Sequence, residues 1–245
     1  MKNRKLWRGI LVVASIAAFG VFTFSGYELV RIWRVTNAVK VVMPGDLDAL
    51  ARFAPLLDDY NPWIRNEAAQ ALGRIGPAAK VKTPELLRAL KADSSPAVRT
   101  HAAWALGRID AGAPAIPGLI EALDDDNSEV RRYAANALML HGPLAEPAVA
   151  KLIERIQIDE FPFAYAAALG EIGPPAKAAI PHLIAAMRKE TSLVRAEYAQ
   201  ALGKFGPEAK DAIPDLLPMR LDSDPDVRRI ATAALKNIDP NIKGP

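Results

Sequence analysis

SPAVRTHAAWALGRIDAGAPAIPGLIEALDDDNSEVRRYAANALMLHGP, residues 95–143, carries one pattern twice. Val98–Arg99 is followed by Ala105–Leu106, and Val130–Arg131 by Ala137–Leu138, with the leucine seven residues after the arginine each time. Outward from this stretch the pattern returns as Ile64–Arg65 with Ala71–Leu72, Val194–Arg195 with Ala201–Leu202, and Val227–Arg228 with Ala234–Leu235. Ala168–Leu169 marks a further copy, in which Pro162 stands where the arginine belongs. Successive spacings of that position are 34, 32, 31, 33 and 33 residues. Self-similarity at such a period is the mark of stacked structural repeats.

Each copy supplies its own helix punctuation. Asn61, Ser95, Asn127, Thr191 and Asp224 stand four residues before the arginine, and their side-chain oxygens suit an N-cap. Pro62, Pro96 and Pro225 come next, at the first helical position, where a missing N–H costs nothing. Within one copy Val98, Ala102, Ala105, Leu106 and Ile109 share a helical face. Gly76–Pro77, Gly142–Pro143, Gly173–Pro174 and Gly206–Pro207 then stop the helix. A shorter helix precedes each of these, opened by Ala115–Ile116–Pro117, Ala179–Ile180–Pro181 and Ala212–Ile213–Pro214, with Thr83–Pro84 and Pro147 as variants. One such pair cannot bury its apolar face alone, whereas a stack of pairs can. The expected fold is therefore all-α: a right-handed α-solenoid of about six helix pairs over residues 44–239, with a short tail at 240–245.

This pattern resembles bacterial HEAT repeats, of the subtype also found in phycobilisome lyases. The resemblance covers residues 46–239 and is specific to the repeat class. It implies second helices that line a concave face. Relatives of this kind include chromophore lyases, regulators and scaffolds, so a fold likeness alone does not choose among them.

Ahead of the repeats, GILVVASIAAFGVFTFSGY (residues 9–27) holds no charge. As a helix at ~1.5 Å per residue it spans roughly 30 Å, the hydrocarbon thickness of a bilayer. Trp7 on one side and Tyr27 and Trp33 on the other suit the two membrane interfaces. The expectation is one transmembrane anchor after a basic tail at residues 1–8. A cleaved leader would share the basic start and apolar run, but no clean small-x-small site follows. Lys2, Arg4, Lys5 and Arg8 precede the span and Arg31, Arg34 and Lys40 follow it. That bias places the N-terminus in the cytoplasm and the repeats outside the inner (cell) membrane. Residues 28–43 read as a juxtamembrane helix ended by Pro44–Gly45. It either caps the first repeat or lies on the membrane surface, or it docks on another membrane subunit.

Charge and composition exclude several functions. Residues 1–34 hold six basic residues against Glu28, and the remainder holds 25 basic and 27 acidic residues. A repeat domain without excess positive charge is not built to neutralise phosphates, so no nucleic-acid partner is expected. The chain has no cysteine, which removes disulfides, thiolate metal sites and cysteine nucleophiles. His101, His141 and His182 fall in different repeats, and no His–Glu pair occurs such as would mark HEAT-type iron hydroxylases. Acid clusters such as Asp58–Asp59 and Asp124–Asp125–Asp126 fall at turns. No catalytic, metal or cofactor site is expected.

Three sets of residues remain. Arg65, Arg99, Arg131, Arg195 and Arg228 flank the core stripe, and Asp59, Asp93, Asp125 and Asp222 lie six residues before four of them. These read as a structural ladder of inter-repeat ion pairs and carbonyl ties. Trp104 breaks the repeat, since its equivalents are Gln70, Asn136, Ala167, Gln200 and Ala233. With His101, Arg108, Tyr133 and Asn136 around it, it is either an exposed anchor for a partner or a ring covered by a neighbouring repeat. Phe161 and Phe163, in Phe161–Pro162–Phe163–Ala164–Tyr165, are either repacked inside a degenerate repeat or an exposed contact patch. The expected function is a non-enzymatic, membrane-anchored scaffold that binds a protein partner, an accessory subunit of a larger membrane complex. The alternative, from the resemblance, is a lyase-like or cofactor-attachment assistant.

Overall fold

The computed structural model describes residues 26–242, apart from the side chains of residues 192 and 193. The proposed transmembrane segment (up to Gly26–Tyr27), the basic tail and Trp7 lie outside the described residues. No helix among the described residues is long and apolar enough to cross a membrane. All regular structure among them is helical.

After α1 (Gly26–Val39) the chain forms six helix pairs. These are α2 (Leu47–Phe53) with α3 (Pro62–Ile75), and α4 (Thr83–Ala92) with α5 (Pro96–Arg108). Next come α6 (Ile116–Ala122) with α7 (Ser128–His141), and α8 (Val149–Ile158) with α9 (Pro162–Ile172). The last are α10 (Ile180–Met187) with α11 (Ser192–Lys204), and α12 (Ile213–Met219) with α13 (Pro225–Ile238). The helix-pair solenoid expected from the repeat is the architecture observed.

Local chemistry sets the helix ends. Gly76, Gly142, Gly173 and Gly206 adopt φ values of 71°, 54°, 71° and 59° after their helices, a region that a side chain disfavours. The second pair lacks a Gly–Pro stop, and Asp110 (φ 52°) and Gly112 (φ 72°) turn the chain there. Asn61, Asn127 and Asp224 cap as expected, accepting from the backbone N–H of Trp63, of Glu129 and Val130, and of Asp226. Ser95 and Thr191 differ: they stand at the N-cap, but their side chains make no capping bond.

The second helices of the pairs stack in chain order, α3 to α13, and each first helix lies against the second helix of its own pair. Small residues set the spacing of that stack. A Cβ on Gly107, Gly170 or Gly203 would lie 2.9, 2.9 and 2.8 Å from the Cα of Ala137, Ala201 and Ala234. Each glycine follows an Ala–Leu pair and meets the alanine of the next one. Those leucines, from Leu72 to Leu235, are buried along the whole stack. Burying each contributes about 1.5–3 kcal/mol.

α1 packs on α3 and takes the place of a second helix ahead of the first pair. It turns Ile32, Val39 and Glu28 inward. Glu28 accepts from the Tyr60 hydroxyl at 2.6 Å and from Asn61 Nδ2 at 2.7 Å, and Arg31 reaches across to Asp59. Burial opposes ionisation of Glu28, yet these donors and Arg31 hold its carboxyl below the usual range. α1 is thus the cap of the stack, fixed by a polar cluster at its first turn.

Candidate protein-docking groove

The recurring arginines hold a fixed geometry. Arg65 Nε and Nη2 meet the two carboxylate oxygens of Asp93 at 2.6 and 2.8 Å, while Nη1 donates to the Asp59 carbonyl at 2.9 Å. Arg99 does the same to Asp125 (2.7 and 2.8 Å) and to the Asp93 carbonyl (3.0 Å). Arg131 Nε meets Asp159 at 2.5 Å and Nη1 the Asp125 carbonyl at 2.9 Å. Each arginine therefore ties the turn of its own repeat and pairs with the aspartate of the next. The aspartate in turn accepts from the N–H two residues on, as Asp93 does from Ser95 and Asp125 from Asn127, both at 2.9 Å.

Arg228 ties its own turn through the carbonyls of Asp222 and Ser223. Arg195 lies within electrostatic reach of Asp215, and its buried Nε has no hydrogen-bond partner. Two rung residues were not picked out in the sequence. Arg31 is the rung before Arg65, and Asp159 receives Arg131. The signal for Arg31 was present: Val30–Arg31 stands 34 residues ahead of Ile64–Arg65.

On the other flank of the second helices lies a groove of about 420 Å³. Gln70 and Arg74 of α3, His101, Trp104 and Arg108 of α5, and Tyr133 of α7 line it. Val42 and Pro44, from the stretch after α1, close one edge. That stretch is pinned where the Gly45 N–H donates to the Ile75 carbonyl at 2.9 Å.

Trp104 is half-buried. Its ring covers Gly73, where a Cβ would fall 2.2 Å from the ring Cζ3. His101 meets it edge-on at 6.2 Å between centroids, and the Arg108 guanidinium lies 5.4 Å from the ring centroid. One part of the indole is thus covered by the preceding repeat while another faces the groove. His101 Nδ1 is 3.2 Å from the Ala97 carbonyl and Nε2 3.4 Å from Gln70 Nε2. A neutral ring protonated on Nδ1 satisfies both contacts. Burial, partly opposed by the Ala97 carbonyl, lowers the His101 pKa and favours that neutral form.

Asn136, half-buried on α7, is not among the groove-lining residues. Phe161 is half-buried, Phe163 is 41% exposed, and their rings meet edge-on at 6.0 Å. Arg132 joins the two patches that look separate in the sequence. Its guanidinium lies 4.5 Å from the Tyr133 ring centroid and 5.5 Å from that of Phe161, and it pairs with Glu129. Among the described residues no group of three or more His, Asp or Glu could hold a metal ion. The groove and the patch beside it are thus made chiefly of rings and guanidinium groups.

A stack of helix pairs with a groove across its second helices defines an α-solenoid repeat protein. The profile of HEAT repeats matches residues 83–168 and 159–236, and the chain belongs to that family. None of the curated proteins matches the chain. Among solved structures it is similar to an engineered protein, at 25% identity and a TM-score of 0.61, over 79% of this chain and 97% of that one. It is also similar to a computationally designed armadillo repeat protein for modular peptide recognition, at 19% identity and a TM-score of 0.59, over 78% and 100%. Kap121p matches at 16% identity and a TM-score of 0.61, with 80% of this chain covering 24% of that one. The last two likenesses concern the fold alone.

Proposed function

We propose that this protein is a non-enzymatic, membrane-tethered scaffold, an accessory subunit of a larger membrane complex, that holds a protein partner in the groove around Trp104. The observation that carries the reading is a half-exposed indole in a groove walled by three consecutive second helices. An aromatic ring beside guanidinium groups is the composition of an interface anchor. The fold supports the same reading, since solenoids present long surfaces to partners, and the designed armadillo protein was built for peptide recognition. Residues 9–27 supply the tether, with Trp7, Tyr27 and Trp33 at the interfaces and the solenoid outside the cell membrane. Tyr27 is 79% exposed on α1, open to such a contact. The lyase-like alternative needs acid–base groups gathered in the groove. No carboxylate is among its lining residues, and His101 is engaged on both nitrogens.

Photo-crosslinking in native membranes tests the docking. A crosslinker at Arg108 or Tyr133 is expected to capture one and the same protein, and one at the exposed Val81 none. Capture from Val81 alone would place the partner elsewhere. The protein is expected to stay with the membrane through alkaline washing. A mature chain that begins near Tyr27 would remove the tether.

A further inference from the structure

Two cations in the groove stand without a carboxylate partner among the described residues. Arg74 and Arg108 occupy equivalent positions on α3 and α5, and both are exposed. Neither forms an ion pair with a carboxylate among the described residues. Three other exposed arginines are paired, Arg88 with Asp58, Arg188 with Asp215 and Arg229 with Asp226, whereas Arg34 and Arg52, away from the groove, have no ion pair among the described residues either. Glu67, buried at 7% exposure, feels the charges of Lys40 and Arg74 without a hydrogen bond to either. The Arg108 guanidinium is held over the Trp104 ring, which orients it without neutralising it. The groove therefore combines an apolar ring with two uncompensated charges of one sign.

We propose that the occupant is an extended segment of a partner polypeptide that sets an apolar or aromatic side chain on Trp104 and carboxylates on Arg74 and Arg108. This deepens the docking reading above and rests on it. Guanidinium groups bind carboxylates through paired, charge-assisted hydrogen bonds, and complementary charge sets register and partner choice. Neighbouring helix axes lie roughly 8–10 Å apart, and an extended chain advances about 3.3 Å per residue. An apolar residue flanked about two positions away on each side by an acidic one puts all three side chains on one face and, with flexible guanidinium groups to meet them, spans that distance. Gln70 and Tyr133 offer hydrogen bonds to the backbone of that segment on either side of the indole.

The test selects short random peptides from a display library on the immobilised full-length protein and on its variants. The wild type is expected to enrich peptides with two Asp or Glu residues around an apolar one. Arg74→Gln with Arg108→Gln is expected to weaken those peptides about tenfold or more, and Arg74→Glu with Arg108→Glu to turn the selection toward Lys and Arg. Far-UV circular dichroism checks that each variant is folded, and the charge-reversed selection keeps the test decisive if the glutamine variant is unstable. Enriched peptides that need Trp104 but are neutral or basic would overturn the acidic occupant and leave the groove as the docking site. Binding that never depends on Trp104 would overturn both readings.

Discussion

Trp104 shows what one residue can and cannot disclose. In sequence it is an anomaly, because the same place in other repeats holds Gln70, Asn136 or alanine. The structure gives it two tasks at once, since part of the ring covers Gly73 and part faces the groove. Trp104→Ala is therefore expected to weaken partner binding at least about tenfold, or ~1.4 kcal/mol. It is also expected to destabilise the fold by roughly 1–3 kcal/mol, more than a fully exposed ring would, because contacts to α3 are lost. Binding titration and denaturant melts of the same variant separate the two effects. Loss of stability with unchanged affinity of the folded fraction would mark Trp104 as a packing residue only. Gly73 was readable in the sequence as the residue after Ala71–Leu72, but its role as the seat of the indole was not. That role depends on a side chain 31 positions away.

At the scale of the element, the starts of α5, α7 and α9 are each built around an aspartate that serves two repeats. Burial alone would raise the pKa of Asp93, Asp125 and Asp159. The guanidinium of the preceding repeat and the turn N–H outweigh it and hold all three below the usual carboxylate range. A carboxyl whose folded pKa is depressed stabilises the fold fully above its unfolded value, near 3.9, and loses that contribution as pH falls through the folded value. Arg99→Ala removes the main support of Asp125 and leaves burial to act on it. The variant is expected to lose roughly 1–3 kcal/mol near neutral pH. Its acid unfolding is expected to begin at higher pH than that of the wild type. Denaturant melts over a pH series check both. An unchanged acid limb would mean that the rungs are too solvated to matter.

Across the described residues the regular run of rungs stops after Arg131. The rungs run from Arg31 through Arg65 and Arg99 to Arg131, and each reaches the aspartate of the next repeat. At the following step Pro162 replaces the arginine, and Lys189 stands where the next aspartate belongs. Both halves of that rung are missing together. Repeat proteins gain stability from nearest-neighbour interfaces, so a weaker interface divides the cooperative unit. Native-state hydrogen exchange is expected to show α10 to α13 opening at lower denaturant than α3 to α7. Uniform protection from α3 to α13 would mean that apolar packing across α9 and α11 compensates for the missing pair.

The sequence by itself determined the repeat, its period, its helix ends at glycine and at Asn61, Asn127 and Asp224, and the apolar stripe of each second helix. These follow from interactions within a turn or two of chain, so they are written beside the residues that make them. Stacking decided the rest. It brought Arg31 to Asp59 and Arg131 to Asp159, laid Trp104 on Gly73, and made α1 the cap of the array. It also joined Tyr133 to Phe161 through Arg132 and left Arg74 and Arg108 side by side without acids. Which side chains meet between repeats depends on the offset and angle at which one helix pair lies on the next. That geometry is set by close contacts such as Gly107 on Ala137 and Gly203 on Ala234, formed only when the whole stack packs.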